Sequence, residues 1–195
     1  MANSLDIAKY LIELCHGRQV TISHLKLQKL MFYSQAMHLS LFNEELFADK
    51  ILAWDHGPAV SQVYASYCHH GSGLIPNPAA FDVDKALAAN EAESVKRTME
   101  AHGHKAAWDL RNQSHNEPIW KNHRKECDAG DGSEITSREI MDHFKQDHAT
   151  EEYISSYIED AKASLGKDNL VAMPEHINSA TAFSDWISQE AAKLA

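Results

Sequence analysis

LKLQKLMFYSQAMHLSLFNEELFADKILAWDHGPAVSQVY, residues 25–64, is the stretch whose reading decides the fold. At 3.6 residues per turn, Leu27, Leu30, Met31, Ser34, Met37, His38 and Leu41 share one face, and Leu25, Phe32, Ala36 and Leu39 widen it. Only Lys26, Lys29, Tyr33 and Ser40 are left to form a wettable strip. A helix apolar over most of its circumference must be wrapped by other elements. It is therefore expected at the centre of a mainly α, helical domain, with the remaining helices packed around it. The pattern changes near Asn43. Leu46-Phe47 and Ile51-Leu52-Ala53-Trp54, separated by Ala48-Asp49-Lys50, suit a small β-hairpin or a pair of extended segments, closed by Gly57-Pro58. Proline pre-sets φ for a first helical turn, so Pro58 is expected to open a helix whose apolar stripe is Val60, Val63, Tyr64, Tyr67 and Cys68.

Working outward, residues 4–16 read as a helix with Leu5, Ala8, Leu11, Ile12 and Cys15 on one face, Asn3 or Ser4 as cap and Gly17 beyond its end. It should dock on the central helix. The helix after Pro58 is expected to stop at Gly71, followed by a loop with Pro76 and Pro78. Asn90 with Glu93 suggests a capping box for a helix carrying Ala92, Val95 and Met99 and ending at Gly103, and a further helix carries Ala107 and Leu110. Ser114 with Glu117, before Pro118, suggests another box for a short helix bearing Ile119, His123 and Cys127; Thr136 with Glu139 caps the helix of Ile140, Met141 and Phe144. Beyond these, Ile154, Tyr157, Ile158, Ala161 and Leu165, then Phe183, Trp186, Ile187 and Leu194, form two amphipathic stripes. The chain thus divides into a domain over residues 1–147 and a C-terminal helical extension over 148–195.

The 195 residues are long enough to bury a real core, and 24% charged with 44% apolar residues indicate a soluble globular protein. No run approaches the roughly 20 apolar residues of a membrane span, and no basic-then-apolar leader opens the chain, so a cytoplasmic location is expected. Cys15, Cys68 and Cys127 are few and far apart, as in a reducing compartment, and are expected to behave as small buried hydrophobes. With 28 acidic against 18 basic residues, the formal net charge of -10 argues against direct binding of nucleic acid through its phosphates. A basic partner suits it better. The pair of helices flanking residues 17–23 has the outline of a helix-turn-helix, but its second member is the apolar central helix, which cannot be both buried and in a groove.

Thirteen histidines invite a metal. Cys68-His69-His70 and His102 with His104 lack the paired short spacings of a closed zinc site, and the loop at Asp128 places Gly130, Gly132 and Ser133 where a calcium loop needs ligands and its glycine. No metal or cofactor is expected. An enzyme would draw a general base from Asp55-His56 or from His115 and Glu117, with Tyr64 nearby. There is no nucleophile elbow, phosphate loop or GxGxxG to accompany them.

Leu27-Gln28-Lys29-Leu30-Met31-Phe32-Tyr33-Ser34-Gln35-Ala36-Met37-His38-Leu39, then Leu46-Phe47, then Ala53-Trp54-Asp55-His56-Gly57-Pro58-Ala59-Val60, resembles the Panacea (SocA-type) antitoxin domain. Ser114-His115-Asn116-Glu117-Pro118-Ile119-Trp120 is similar to that family's Thr-His-x-Glu-x-Pro-Trp box, except that proline precedes Ile119 here rather than Trp120; residues 134–144 are similar to its closing helix. Three separated motifs in the right order make the likeness specific. The resemblance implies a non-catalytic antitoxin of a bacterial or prophage toxin–antitoxin pair, neutralising a cognate protein toxin by direct contact; some members of the family deliver the toxin to a protease. Trp54, His56, Pro58, Val60 and Tyr64 are the candidate partner-binding residues, because an extended edge followed by a proline-opened helix is a rigid platform for aromatic anchors. Trp54 as a mere lid on the core is the competing reading. The alternative function is a phage-associated, hydrolase-like enzyme using the histidines and acidic residues just named.

Overall fold

The structure, a computed structural model, describes residues 1–78, 81–124, 132–144 and 155. Within these lie eight α-helices: α1 (Ser4–Gly17), α2 (His24–Phe42), α3 (Ser61–Tyr67), α4 (Val83–Ala86), α5 (Ala89–His102), α6 (Ala107–Asn116), α7 (Pro118–His123) and α8 (Ser137–Phe144). Strands β1 (Ile51–Trp54), β2 (Gly57–Val60) and β3 (Ser133–Ile135) make an antiparallel sheet in the order β2-β1-β3. The protein is mainly helical with a small β element, as the pattern of α2 and the runs after it predict. Apart from residue 155, the second half of the proposed division, residues 148–195 with both amphipathic stripes, lies outside the described residues, as do Cys127 and most of the Asp128 loop.

The core forms around α2, which packs against α1, α3, α5, α6, α8 and β2. Leu27, Leu30, Met31 and Phe32 are fully buried, with Ile7, Leu11, Ile12, Val95, Leu110 and Ile140 meeting them from the surrounding helices. Local chemistry places the helix ends. Asn3 accepts a hydrogen bond from the Leu5 N–H (2.9 Å), Ser23 caps α2, and Asn43 terminates α2 in the left-handed region at φ 57°. Thr136 and Glu139 form the reciprocal box read from the sequence: the Thr136 N–H donates to the Glu139 carboxylate (3.0 Å) and the Glu139 N–H to Thr136 Oγ1 (3.3 Å).

The expected wettable strip on α2 does not exist. Lys26, Lys29, Tyr33 and Ser40 are all at most 3% exposed, so the helix is enclosed on every side. Their polar tips are satisfied by the chain that wraps them. Lys26 Nζ donates to the Gly103 carbonyl (2.7 Å), Lys29 Nζ to the Pro58 carbonyl (2.7 Å), Ser40 Oγ to the Ala36 carbonyl (2.8 Å) and the Tyr33 hydroxyl to Glu117 (3.5 Å). Two glutamines do the same for irregular backbone. Gln35 Oε1 accepts from both Leu46 and Phe47 N–H (3.1 and 3.2 Å), while Gln28 Oε1 accepts from the Val60 N–H (2.7 Å).

Those bonds account for most departures from expectation. Leu46-Phe47 is not a hairpin strand: its N–H groups go to Gln35, and Phe47 makes only an isolated bridge to Ala2. The hairpin is instead β1 with β2, Trp54 opposite Gly57 across the Asp55-His56 turn. Pro58 accordingly sits in a strand, opposite Ala53, and the next helix begins at Ser61. A proline is tolerated there because β2 is the sheet edge, where no neighbouring strand demands its missing N–H. The cap of α5 is Ala88, whose N–H is held by Glu91 (2.8 Å), not Asn90 with Glu93; Glu93 pairs with Arg97 (2.8 Å). Ser114 lies inside α6, bonded to the Arg111 carbonyl, and Glu117 accepts from His143 (2.7 Å) rather than closing a box. Cys15 is buried as expected, whereas Cys68 is exposed.

Gln35→Leu keeps the volume but strands the Leu46 and Phe47 N–H groups. It should destabilise the protein by on the order of 3 kcal/mol, read as a lowered urea midpoint at unchanged slope. Two enclosed histidines predict acid sensitivity. Burial lowers His38 to about 4, against a smaller opposing pull from Glu91, and burial with Lys105 and His104 lowers His102 to about 3. Both lie below the unfolded value of roughly 6.5, so between these limits the unfolded chain binds more protons. Stability from each is complete above about pH 6.5 and drains away as pH falls toward the folded values. Urea unfolding should show this loss between pH 6.5 and 4, with His38→Gln flattening it.

Candidate partner-binding site

The N-terminal half of α2 is the floor of an open cleft of about 520 Å³. The β1–β2 turn, the start of α3 and α6 provide its walls. The turn is shaped by Gly57, whose φ of 97° disfavours any side chain, and whose Cα faces the core so closely that a Cβ there would lie 2.6 Å from Lys29 Nζ and 2.7 Å from Ser114 Oγ. Glycine thus lets β2 sit directly on the Lys29 amine. That amine, 1% exposed, donates to the Pro58 carbonyl, and burial pushes its pKa well below the ordinary lysine value, with Arg111 pushing the same way.

Aromatic rings line the cleft. Tyr64 stands between His24 (centroids 4.7 Å apart) and Trp54 (4.8 Å, interplanar angle 86°). His56, exposed at the turn, faces Trp108 edge-on at 6.4 Å. Trp108, from α6, is 60% exposed, which is unusual for so large an apolar ring. Behind the turn, Trp120 is buried and donates its indole N–H to the Trp54 carbonyl (3.1 Å), fixing α7 to the end of β1. Burial also lowers the His24 pKa, assisted by Lys29, His70 and His69, so the cleft favours a neutral imidazole.

The candidate residues therefore divide. Trp54, His56 and Tyr64 come together on one concave surface, with Trp54 half-buried, both packed on Tyr64 and open to the cleft. Pro58 and Val60 do not line it; both are buried in β2, where their backbone groups bond Lys29 and Gln28. Trp108 was not among the residues expected. Its signal is legible in hindsight: it lies two positions from the buried Leu110, on the opposite side of α6, where a solvated helix rarely carries tryptophan.

The pairs considered for acid–base chemistry do not assemble. No hydrogen bond joins Asp55 to His56, whose side chains sit exposed on the turn. His115 stacks on Trp120 (centroids 3.7 Å, 23°), while Glu117 turns to His143 and Tyr33. Among the described residues, no group of three or more His, Cys, Asp or Glu is placed to hold a metal ion, and no helix is long and apolar enough to cross a membrane.

Residues 27–121 match the family model of the antitoxin SocA-like, Panacea domain, so this stretch is similar to that family. That span runs from Leu27 in α2 to Lys121 in α7 and contains the cleft's turn, Trp108 and the rest of its lining except His24 and Leu25. No curated protein matches the chain, and no solved structure matches it.

Gly57→Ala should cost on the order of 2 kcal/mol, from its positive φ and the crowding of Lys29 and Ser114. Thermal unfolding measures the loss. Because Gly57 positions the turn, the same variant should also change the Trp54 environment, visible as a shift in near-UV circular dichroism.

Proposed function

We infer that the chain is an antitoxin that neutralises a protein toxin by direct contact, and that the cleft around Trp54, His56 and Tyr64, extended by Trp108, is where the toxin docks. The observation that carries this reading is the exposed Trp108 ring beside His56, rimming a cleft inside a SocA-like antitoxin domain. Large aromatic rings at the edge of a preformed hollow bury much area on binding and lose little side-chain freedom, which suits them as anchors. The backbone beneath them is held by Lys29, Gln28 and Gly57, so little ordering remains to oppose association.

Tyr64 packs between two other rings, so altering it mixes stability with binding. Trp108 and His56 are the cleaner pair. Trp108→Ala with His56→Ala should leave the melting temperature within about 2 °C, as surface changes do, while cells expressing the toxin encoded beside this gene lose their protection. A folded double variant that still protects those cells, or an adjacent product that is not toxic, would count against the reading.

A further inference from the structure

Next to the aromatic cleft, and sharing Asp55 with it, is a second cavity of about 440 Å³ whose walls are cationic. Arg111 and His115 reach it from one side of α6, four residues apart, and Lys121 and Arg124 from α7 and the residue after it. Among the described residues of its lining, Asp55 is the one carboxylate. Such a concentration runs against the rest of the chain, where acidic residues outnumber basic ones by 28 to 18. The groups are also held in place. His115 stacks on the buried Trp120 ring at 3.7 Å, the Arg124 guanidinium lies 5.7 Å from that ring, and Arg111 lies 5.8 Å from the Trp108 ring of the neighbouring cleft.

Among the described residues, two polar atoms of side chains lining this cavity are buried without a hydrogen-bond partner: Arg111 Nε and His115 Nε2. A guanidinium short of an acceptor favours one brought to it. Burial above all, with Arg111, Lys29, Arg124 and His56 acting in the same direction, lowers His115 to about 4.

We propose that this cavity is an anion site that receives a carboxylate side chain of the protein seated on the adjoining aromatic cleft. The proposal rests on the docking reading above, since the cleft supplies the partner. Arginine is suited to the task because its planar fork bonds a carboxylate through two parallel N–H donors. The shared Asp55 rim and the Arg111–Trp108 contact make the two hollows one continuous surface, so a segment lying across the Asp55-His56 turn meets aromatic rings on one side and cations on the other. Phosphate shares the relevant chemistry and is the source to be distinguished.

The test uses the purified chain with glutarate as the carboxylate probe and, separately, inorganic phosphate, at constant ionic strength, following the Trp120 indole and His115 ring signals by NMR. Saturable shifts with glutarate are expected. Arg111→Gln and Arg124→Gln should each weaken it by about fivefold or more, whereas Lys96→Gln, exposed elsewhere, should not. Arg124 is exposed, so its variant stays informative if Arg111→Gln unfolds. In the second arm, Arg124→Gln should weaken capture of the adjacent gene's toxin by about tenfold. No saturable glutarate binding, or binding of phosphate alone, overturns the carboxylate assignment even where the cleft variants abolish toxin capture. If Trp108→Ala with His56→Ala leaves capture intact, the docking reading fails, and glutarate binding then speaks for an anion site with no role for the toxin.

Discussion

The structure depends on polar side chains that α2 carries into the core. Gln28, Lys29 and Gln35 each reach outward from a fully enclosed helix and meet backbone that belongs to no helix: Val60 and Pro58 in β2, and Leu46 and Phe47 in the segment before β1. Short strands and extended loops pressed against a helix leave N–H and C=O groups away from water, and each must find a partner. Here the partners come from the helix itself. A purely apolar α2 would bury as much surface but would leave those groups unmet, which is why a residue as costly to enclose as Lys29 persists at the centre of the domain.

The same bonds explain why the aromatic cleft is rigid. β2 is pinned from below by Gln28 and Lys29, and β1 is pinned at its far end by the Trp120 indole N–H on the Trp54 carbonyl. The turn between them therefore has little freedom, even though Asp55 and His56 are solvent-exposed. Gly57 removes the last obstacle by letting the strand settle against the Lys29 amine. A surface built this way has its shape set by the backbone beneath it.

What could be read from residues alone follows from the range of each interaction. The burial of α2, the Asn3 cap, the stop at Asn43 and the Thr136–Glu139 box depend on neighbours within a few positions, and all four are present in the structure. The misreadings concern residues whose partners are distant in sequence. Leu46-Phe47 has strand composition, yet Gln35 takes its N–H groups; Pro58 has the position of a helix opener, yet β1 claims it for a strand. Ser114 and Glu117 have the spacing of a capping box, but Glu117 is drawn to His143 and Tyr33, which lie on other helices. The lysines of α2 misled for a related reason: amphipathicity sorts residues by side chain, and cannot register a backbone carbonyl waiting at the other end. On the cleft, Trp54, His56 and Tyr64 can be grouped from the sequence because they share one short stretch. Trp108 cannot, since it joins them only when α6 packs beside the turn.

This division of labour separates the residues that make the domain from those that face outward from it. Pro58 and Val60, chosen from the sequence beside Trp54 and His56, turn out to be structural: their side chains are buried and their backbone groups are anchored to α2. Substituting them would disturb the sheet and so would not report on the cleft. Among the described residues, the ring contacts of Trp108 are with His56 and Arg111, and that of Arg124 is with Trp120. Side chains so lightly tied contribute little to holding the fold together, and a 60% exposed tryptophan carries a standing cost in solvated apolar surface. The domain tolerates that cost because α2 and its buried polar contacts supply stability elsewhere.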